Sequence, residues 1–288
     1  MKDRSKAVLL MLLSALSFSL MQLAVKLSAM TVETMQQVFF RNLIGLVISF
    51  VLLKKKHLPL FGERKYQLPL FARSFFGFCG MCFLFIATAG ARQADVALLS
   101  RTTPIWVSIF AWLLLKEKIS KIQVPVIALC MLGAFAAIQP SFDSDIKPLV
   151  FALLTSVCSG VAYTMIAYCK GRVNPLTVIF QFCIFSTIAA GILMIPDFVV
   201  PTARDLLILF FIGLFGAGGQ LGLTYAMQWA PASEVSIYDY AGIIFSAIWG
   251  YIALHETLTM PTVIGALLIT AGGAWSFFYN RRQGEKTA

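Results

Sequence analysis

The feature that most constrains this chain is a succession of ten apolar segments, each close to the ~20 residues that a helix needs to cross a bilayer. Charged, proline-containing and turn-rich positions separate these segments, which lie at 7–26, 33–53, 67–90, 94–115, 122–138, 148–169, 175–195, 205–227, 232–254 and 261–279. They occupy nearly all of the 288 residues, so no length remains for a separate soluble domain. The sequence therefore predicts an all-α membrane protein of ten transmembrane helices, with a single transmembrane domain over 1–288.

The composition supports lipid as the solvent of this chain. Hydrophobic residues make up 59% of it, charged residues 12%, and the mean hydropathy is +0.84. A soluble domain could not bury so much apolar side chain. The formal net charge is +10, but the basic residues form short clusters between apolar segments and not one stripe interleaved with aromatic residues. This pattern argues against nucleic acid as a partner.

The distribution of basic residues predicts the topology. Most of the 23 Lys and Arg residues lie at ends and loops that share one side if the N-terminus is cytoplasmic. These are Lys2, Arg4, Lys6, Lys54, Lys55, Lys56, Arg64, Lys65, Lys116, Lys118, Lys121, Lys170, Arg172, Arg281, Arg282 and Lys286. Because cytoplasmic loops are enriched in Lys and Arg, we expect both termini in the cytoplasm and the chain in the plasma (inner) membrane. The loop of Asp143 and Asp145 is then outside.

An internal repeat is visible when the sequence is shifted by 139 residues against itself. The shift aligns Asp95-Val96 with Glu234-Val235, Ile105 with Ile244, Glu117 with Glu256, Gly133 with Gly272, Gly77 with Gly216, and Gly80 with Gly219. The halves, 7–138 and 148–279, each hold five predicted spans, and an odd number places the second half upside down relative to the first. We therefore predict two inverted five-helix repeats, an arrangement common in secondary transporters. Chance alignment of small residues is the alternative.

Four short motifs are spread along the chain. They are Phe-Phe-Arg-Asn-Leu-Ile-Gly around Arg41, Ala94-Asp95-Val96-Ala97-Leu98-Leu99 followed by Thr103-Pro104, Leu115-Lys116-Glu117-Lys118-Ile119, and Leu254-His255-Glu256-Thr257-Leu258. Together they resemble the ten-span EamA branch of the drug/metabolite transporter superfamily. Arg41 is similar to the family's arginine in the second helix, and the last two motifs are similar to its Gly-Glu signature, although Lys116 and His255 stand where the glycine is usual. The resemblance covers essentially the whole chain.

This resemblance implies a secondary-active transporter of a small metabolite that works by alternating access, with proton coupling or exchange. It implies amino acids or their derivatives, carboxylates, or nucleotide-like compounds such as S-adenosylmethionine as substrates. A multidrug or toxic-metabolite exporter is the alternative within the family. No cofactor is implied, the partners are the substrate and the lipid bilayer, and the chain is expected as a monomer or a homodimer.

Arg41 is the first candidate for substrate binding. It lies eight residues into the second apolar segment, too deep to reach the surface comfortably, so it should face a cavity. Gln37 extends the same polar strip at helical spacing, and Gln22 adds an amide on the first segment. A guanidinium offers forked donors that suit a carboxylate or a phosphate. The alternative is that Arg41 binds backbone carbonyls or a fixed acid.

Arg101 lies at a matching depth in the fourth segment, three residues before Pro104. Since Pro104 frees a carbonyl group near Ser100, the backbone there is expected to be irregular and close to a water-filled space. Arg41 and Arg101 in one layer would repel each other unless an anion lay between them, which favours an anionic substrate. Arg73 is expected at the cytoplasmic end of the third segment, where snorkelling accounts for it without a function.

Asp239 is the carboxylate that lies well inside an apolar segment, and it is the candidate for proton coupling. Burial favours the protonated form of such a group, so it could carry a proton during transport. A fixed salt bridge to Arg41, Arg73 or Arg101 is the equal alternative. Tyr163, Tyr225 and Tyr240 have rings and hydroxyl groups suited to substrate contact, although most aromatic residues in such chains contact lipid. We therefore include these three tyrosines with Arg41, Arg101, Gln37 and Gln22 as candidate substrate ligands.

Two other classes of protein, an intramembrane enzyme and a channel, are alternatives to a transporter. An intramembrane enzyme would need a catalytic group, but His255-Glu256 begins a zinc-protease motif that position 259, a threonine, does not complete. The six cysteines lie in or beside apolar segments and suggest neither a disulfide framework nor a redox or metal site. A channel would need a carbonyl filter or a ring of charges, and neither is visible. We therefore predict a transporter with no enzymatic activity and no metal.

Overall fold

The computed structural model describes residues 2–28, 31–90, 99–117, 121–138, 146–254 and 260–286. Within these ranges the structure is helical and contains no strand. The long helices are α1 (Lys2–Ser28), α2 (Thr34–Lys55), α3 (Gln67–Gly90), α4 (Thr103–Leu115), α5 (Gln123–Ile138), α6 (Ile146–Tyr168), α7 (Pro175–Leu193), α8 (Ala203–Trp229), α9 (Ala241–Leu254) and α10 (Met260–Lys286). Each of the ten predicted apolar segments contains one of them.

Eight of the described helical stretches are long and apolar enough to cross a membrane. They are α1, α2, α3, α6, α7, α8, α10 and the stretch Ala232–Ala253, which contains most of α9. The apolar helices α4 and α5 are shorter, with 13 and 16 residues, and both adjoin ranges outside the described residues. The count of ten spans therefore stays a prediction, whereas the all-helical class is confirmed.

Two of the helices are interrupted near their beginning. In the fourth segment, a turn at Arg101 and Thr102 precedes α4. Hydroxyl groups stabilise this turn, since Thr102 Oγ1 donates to the carbonyl of Leu99 (2.7 Å) and Thr103 Oγ1 to that of Ser100 (2.9 Å). The irregular backbone predicted before Pro104 is thus confirmed.

The ninth segment has a second interruption, which the sequence did not predict. A short helix, Ala232–Val235, leads into a 3-10 turn, Ser236–Tyr240, and only then does α9 begin. The carbonyl oxygen of Asp239, in this turn, accepts a hydrogen bond from Arg101 Nη1 (3.1 Å), so the turn is tied to the fourth segment. Arg101 and Tyr240 are 139 residues apart, so both halves of the chain are irregular at equivalent positions.

The helix packing is consistent with two related halves. Helix α1 packs on α8, α3 on α6, α2 on α7, α5 on α10, α4 on α6, and α1 on α9. Exchanging the first five helices for the second five turns α1–α8 into α3–α6 and α4–α6 into α1–α9, and it leaves α2–α7 and α5–α10 unchanged. This symmetry supports the repeat proposed from the sequence, and the inversion of the halves stays a prediction.

In the contact between α5 and α10, equivalent residues of the two repeats make equivalent contacts. A Cβ atom on Gly133 would lie 2.8 Å from the carbonyl oxygen of Gly265 and 3.0 Å from Ile269 Cγ1. A Cβ atom on Gly272 would lie 2.7 Å from Cys130 Sγ. Gly133 and Gly272 are repeat partners, and so are Cys130 and Ile269. The two glycines therefore let α5 and α10 approach closely through reciprocal contacts.

The helix ends form two groups, and the contacts described next join helix ends within one group. In the first group, Glu117 accepts from Ser233 Oγ (3.1 Å), and Arg4 pairs with Glu234 (3.7 Å). Glu117 therefore links the end of α4 to the start of the ninth segment, and its repeat partner Glu256 lies outside the described residues.

In the second group of helix ends, Thr31 Oγ1 donates to Asp205 Oδ1 (2.7 Å) and Gln36 Nε2 to the carbonyl of Val199 (2.8 Å). The two groups are those that strict alternation of spans would place on opposite sides. The assignment of the first group to the cytoplasm stays a prediction. The Asp143 loop lies outside the described residues.

Candidate substrate-binding site

Arg41 extends from α2 between α1, α3 and α8. Its Nε donates to Met21 Sδ (3.2 Å), and its Nη1 donates to Asn42 Oδ1 (3.3 Å) and Met81 Sδ (3.3 Å). A Cβ atom on Gly216 of α8 would lie 2.9 Å from Arg41 Cγ, so this glycine makes room for the side chain. The guanidinium is therefore directed into the bundle, as expected from its depth in the sequence.

Two of the three hydrogen-bond acceptors around Arg41 are thioether sulfur atoms. Thioether sulfur is a poor hydrogen-bond acceptor, and the ring of Phe18 lies 5.9 Å from Arg41 Cζ. Among the residues the structure describes, no carboxylate lies within ion-pair distance of Arg41. The fixed acid considered as an alternative for Arg41 is thus absent from this part of the chain, and the guanidinium keeps capacity for a stronger acceptor.

Arg101 and Asp239 form an ion pair between the two interrupted segments. Arg101 Nη1 lies 3.2 Å from Asp239 Oδ2, and both side chains retain 19% of their exposed surface. A Cβ atom on Gly242, at the start of α9, would lie 3.1 Å from Arg101 Nη1. The salt bridge that was one alternative for Asp239 is therefore formed in this conformation. It leaves Arg101 paired with a protein carboxylate.

Arg73 lies inside the bundle, and the expectation that it snorkels to the cytoplasmic surface is wrong. Its side chain is only 2% exposed, and its Cζ lies 4.1 Å from the centre of the Phe182 ring on α7. Within the described residues its Nε has no hydrogen-bond partner. The position seven residues into α3 suggested a surface location, but packing against α7 directs the side chain inward.

Tyr163, on α6, is near these charged groups. Its phenol group is within electrostatic range of Arg41, Arg73, Arg101 and Asp239. Among the described residues, the charges of three guanidinium groups and one carboxylate thus act on this tyrosine. Since irregular backbone at membrane depth is tolerated where it lines a cavity or is buried in protein, the interrupted fourth and ninth segments fit such a centre.

The surroundings of the remaining predicted residues differ, and Tyr240 directly follows Asp239 in the chain. Gln37 Nε2 donates to the carbonyl of Val32 (3.0 Å) at the start of α2, and Gln22 is exposed on α1. Tyr225 packs edge-on against Trp229, with ring centres 5.8 Å apart. Tyr240 is 1% exposed in a cluster with residues of α5 and α10, and its hydroxyl group has no partner within the described chain.

No metal-binding group is evident in the described residues, because no three His, Cys, Asp or Glu side chains lie close enough to share an ion. The six cysteines are free thiols. The chemistry available at the centre is therefore that of guanidinium, phenol and carboxylate groups. Such groups bind and release anions and protons.

Comparison with known proteins identifies the family. A model of the EamA-like transporter family matches residues 5–139 and again residues 146–278. The chain belongs to the EamA-like transporter family. It is therefore a member of the drug/metabolite transporter superfamily and a multi-pass membrane protein, as the resemblance of its motifs implied.

Individual relatives carry names of transporters. The pseudopaline exporter CntI of Pseudomonas aeruginosa is 31% identical over 264 residues, which cover 91% of this chain and 92% of the relative. Human solute carrier family 35 member G1 is 27% identical over 276 residues, which cover 90% of this chain and 75% of the relative. One solved crystal structure, 18% identical, superimposes with a TM-score of 0.82 over 97% of this chain and 99% of the other. At that identity the superposition shows the fold alone.

Proposed function

We propose that this EamA-like protein is a secondary-active transporter of a small metabolite that carries a carboxylate group. The observation that supports the proposal is the region of Tyr163, where the described residues include three arginines and one carboxylate, Asp239, which is already paired with Arg101. A buried cation is costly without a partner. An anionic substrate would supply the missing partner and would be bound most strongly where the arginines converge.

Arg41 and Arg101 have different parts in this proposal. Two of the three acceptors of Arg41 are thioethers, which a substrate carboxylate can replace with charge-assisted hydrogen bonds at little cost. Arg101 already holds Asp239, so a carboxylate that reaches it must compete with that side chain. Substrate binding would therefore loosen the link between the fourth and ninth segments.

That link supports alternating access as the mechanism. Interrupted helices at equivalent positions of two repeats are typical of the substrate sites of secondary transporters. The Arg101–Asp239 pair joins two such interruptions, and it would hold them together in one conformation and separate in another. Asp239 would then be without its cation, and in this proposal it carries a proton in that state and releases it when the pair forms again.

The direction of transport is proposed from the relatives. The Pseudomonas aeruginosa protein is named an exporter of pseudopaline, so export of a carboxylate-bearing compound is the first direction to test. The substrate remains a member of the broad group predicted from the sequence, namely amino acids, their derivatives, carboxylates or nucleotide-like compounds.

The test begins with the purified protein. Metabolite pools are screened for compounds that raise its unfolding temperature, because a ligand of the folded state stabilises it. Compounds found in this way are then followed as radiolabelled substrates in proteoliposomes that contain the wild type, Arg41→Gln or Arg101→Gln. Arg172→Gln serves as the control, since Arg172 is exposed and lies 4.3 Å from the Tyr168 ring.

We expect the two interior variants to fold and to lose transport of the carboxylate, while the control transports normally. Lysine at position 41 should rescue poorly, since a point charge does not reproduce forked donors. If both glutamine variants transported the compound at the wild-type rate, or if only compounds without a carboxylate stabilised the protein, the proposal would be wrong.

A further inference from the structure

Arg73 is a buried cation without a counter-charge in the described structure. Its guanidinium lies over the Phe182 ring, and its Nε makes no hydrogen bond. A cation–π contact offsets only part of the loss of water around a guanidinium. A purely structural arginine at such a position is expected to bind a carboxylate or several carbonyl oxygens, which Arg73 does not do among the residues described.

Arg73 and Arg41 reach the same cluster of side chains from two helices. Arg41 Nη1 contacts Met81 Sδ (3.3 Å), and Met81 packs against the cluster of Phe182 and Cys183. The Phe182 ring in turn lies 4.1 Å from Arg73 Cζ. Two like charges in a medium of low dielectric constant repel each other, yet the chain holds them together from different helices, α2 and α3. One anion between them would remove the repulsion and satisfy the donors that both arginines leave free.

We propose that Arg73 acts with Arg41 as a binding site for a second anionic group of the substrate, so that the transported metabolite carries two carboxylates. This inference rests on the proposed function and makes its substrate class narrower. One carboxylate competes with Asp239 for Arg101, and the other binds between Arg41 and Arg73. The charges agree with this reading, because Arg101 is paired with Asp239, whereas neither Arg41 nor Arg73 has a carboxylate within ion-pair distance among the described residues.

Gly77 positions the Arg73 guanidinium for this role. It lies one turn after Arg73 on α3, and a Cβ atom at Gly77 would collide with Arg73 Nη1 and lie 3.0 Å from Phe182 Cε2. The end of an arginine side chain can move aside, so Gly77→Ala should displace the guanidinium without preventing folding. Gly77→Ala is thus a variant that moves the positive charge of Arg73 without removing it.

The test uses two probes that differ only in charge. Glutarate has two carboxylates, and glutaramate has one carboxylate and one carboxamide of similar shape. Their apparent affinities are measured from the ligand dependence of the unfolding temperature at constant ionic strength, with full-length wild type, Arg73→Gln, Gly77→Ala and the Arg172→Gln control. Arg73→Lys is added as a variant that keeps the charge within a similar volume.

We expect the wild type and Arg172→Gln to bind glutarate about tenfold or more tightly than glutaramate, the difference expected for one charged hydrogen-bonding group. Arg73→Gln should remove the preference, while Gly77→Ala and Arg73→Lys should reduce it. If Arg73→Gln does not fold, Gly77→Ala and Arg73→Lys decide the question.

Two other results would overturn the inference in distinguishable ways. If Arg41→Gln weakens glutarate binding but Arg73→Gln and Gly77→Ala keep the full preference, Arg73 does not bind the second carboxylate and the proposed function stands. If neither probe stabilises the wild type and the screen finds only uncharged ligands, carboxylate recognition fails as a whole and this inference fails with it.

Discussion

At the scale of single residues, charge inside an apolar segment was the signal that the sequence could provide. Arg41, Arg101 and Asp239 stand out because each lies well inside an apolar segment, and all three are within electrostatic range of Tyr163 in the structure. Arg73 carries the same signal but lies near a helix end, where a long side chain can reach either water or the interior. Its direction depends on packing against Phe182, which no pattern within α3 reveals.

The residue-scale prediction concerns Asp239. Asparagine keeps the shape of this side chain but cannot take up a proton, so Asp239→Asn should still exchange substrate across the membrane. It should fail to accumulate substrate against its gradient when only a pH gradient drives transport. Proteoliposomes with and without an imposed pH gradient separate the two activities.

The control for Asp239→Asn is Glu63→Gln. Glu63 also pairs with a basic residue, Lys65, at 2.9 Å, but both side chains are exposed, and such pairs contribute little to stability. This control should behave as the wild type in both assays. A wild type that ignores the pH gradient, or an Asp239→Asn variant that still accumulates substrate, would show that Asp239 is only the structural partner of Arg101.

At the scale of elements, hydropathy predicted where helices lie better than where they are irregular. Each of the ten segments contains a described helix, because length and apolar composition are sufficient to indicate one. The turn before α4 was predictable because Pro104 lacks a backbone N–H. The 3-10 turn at Ser236–Tyr240 was not, since it is stabilised by a contact from another segment, in which Arg101 binds the carbonyl of Asp239.

The element-scale prediction concerns the close contact of α5 and α10. Gly133→Ala should lower the free energy of unfolding by about 1–3 kcal/mol, the usual effect of overpacking, because the new methyl group meets the backbone carbonyl of Gly265. Gly272→Ala should cost less, since the atom it meets, Cys130 Sγ, belongs to a side chain. Chemical unfolding of the purified variants in detergent measures these differences.

The matched control is Gly273→Ala, one residue further along α10. The nearest atoms to a Cβ there belong to the Tyr238 ring at 3.8 Å, an ordinary contact distance. Alanine is also the better helix former by about 1 kcal/mol, so this variant should be as stable as the wild type or more stable. Equal stability of Gly133→Ala and Gly273→Ala would contradict the close contact.

At the scale of the whole molecule, the sequence and the structure give different parts of the topology. The structure groups the helix ends into two sets, through contacts such as Thr177 Oγ1 with the carbonyl of Pro59 (2.8 Å) on one side and Thr31 with Asp205 on the other. Such contacts are long-range, so the sequence could not predict them. The sequence in turn contributes the distribution of Lys and Arg, which predicts that the first set is cytoplasmic.

The last prediction combines these two parts. We expect Val200, which is 81% exposed between α7 and α8, to face the outside, and Phe61, which is 56% exposed between α2 and α3, to face the cytoplasm. In a variant without native cysteines, Val200→Cys should react with a membrane-impermeant maleimide in intact cells. Phe61→Cys should react only after the membrane is permeabilised. The opposite pattern would reverse the topology, and the basic clusters would then lie outside, against the rule that orients most multi-pass proteins. Reaction of both cysteines in intact cells would place the α2–α3 and α7–α8 loops on one side, which the alternation of spans does not allow.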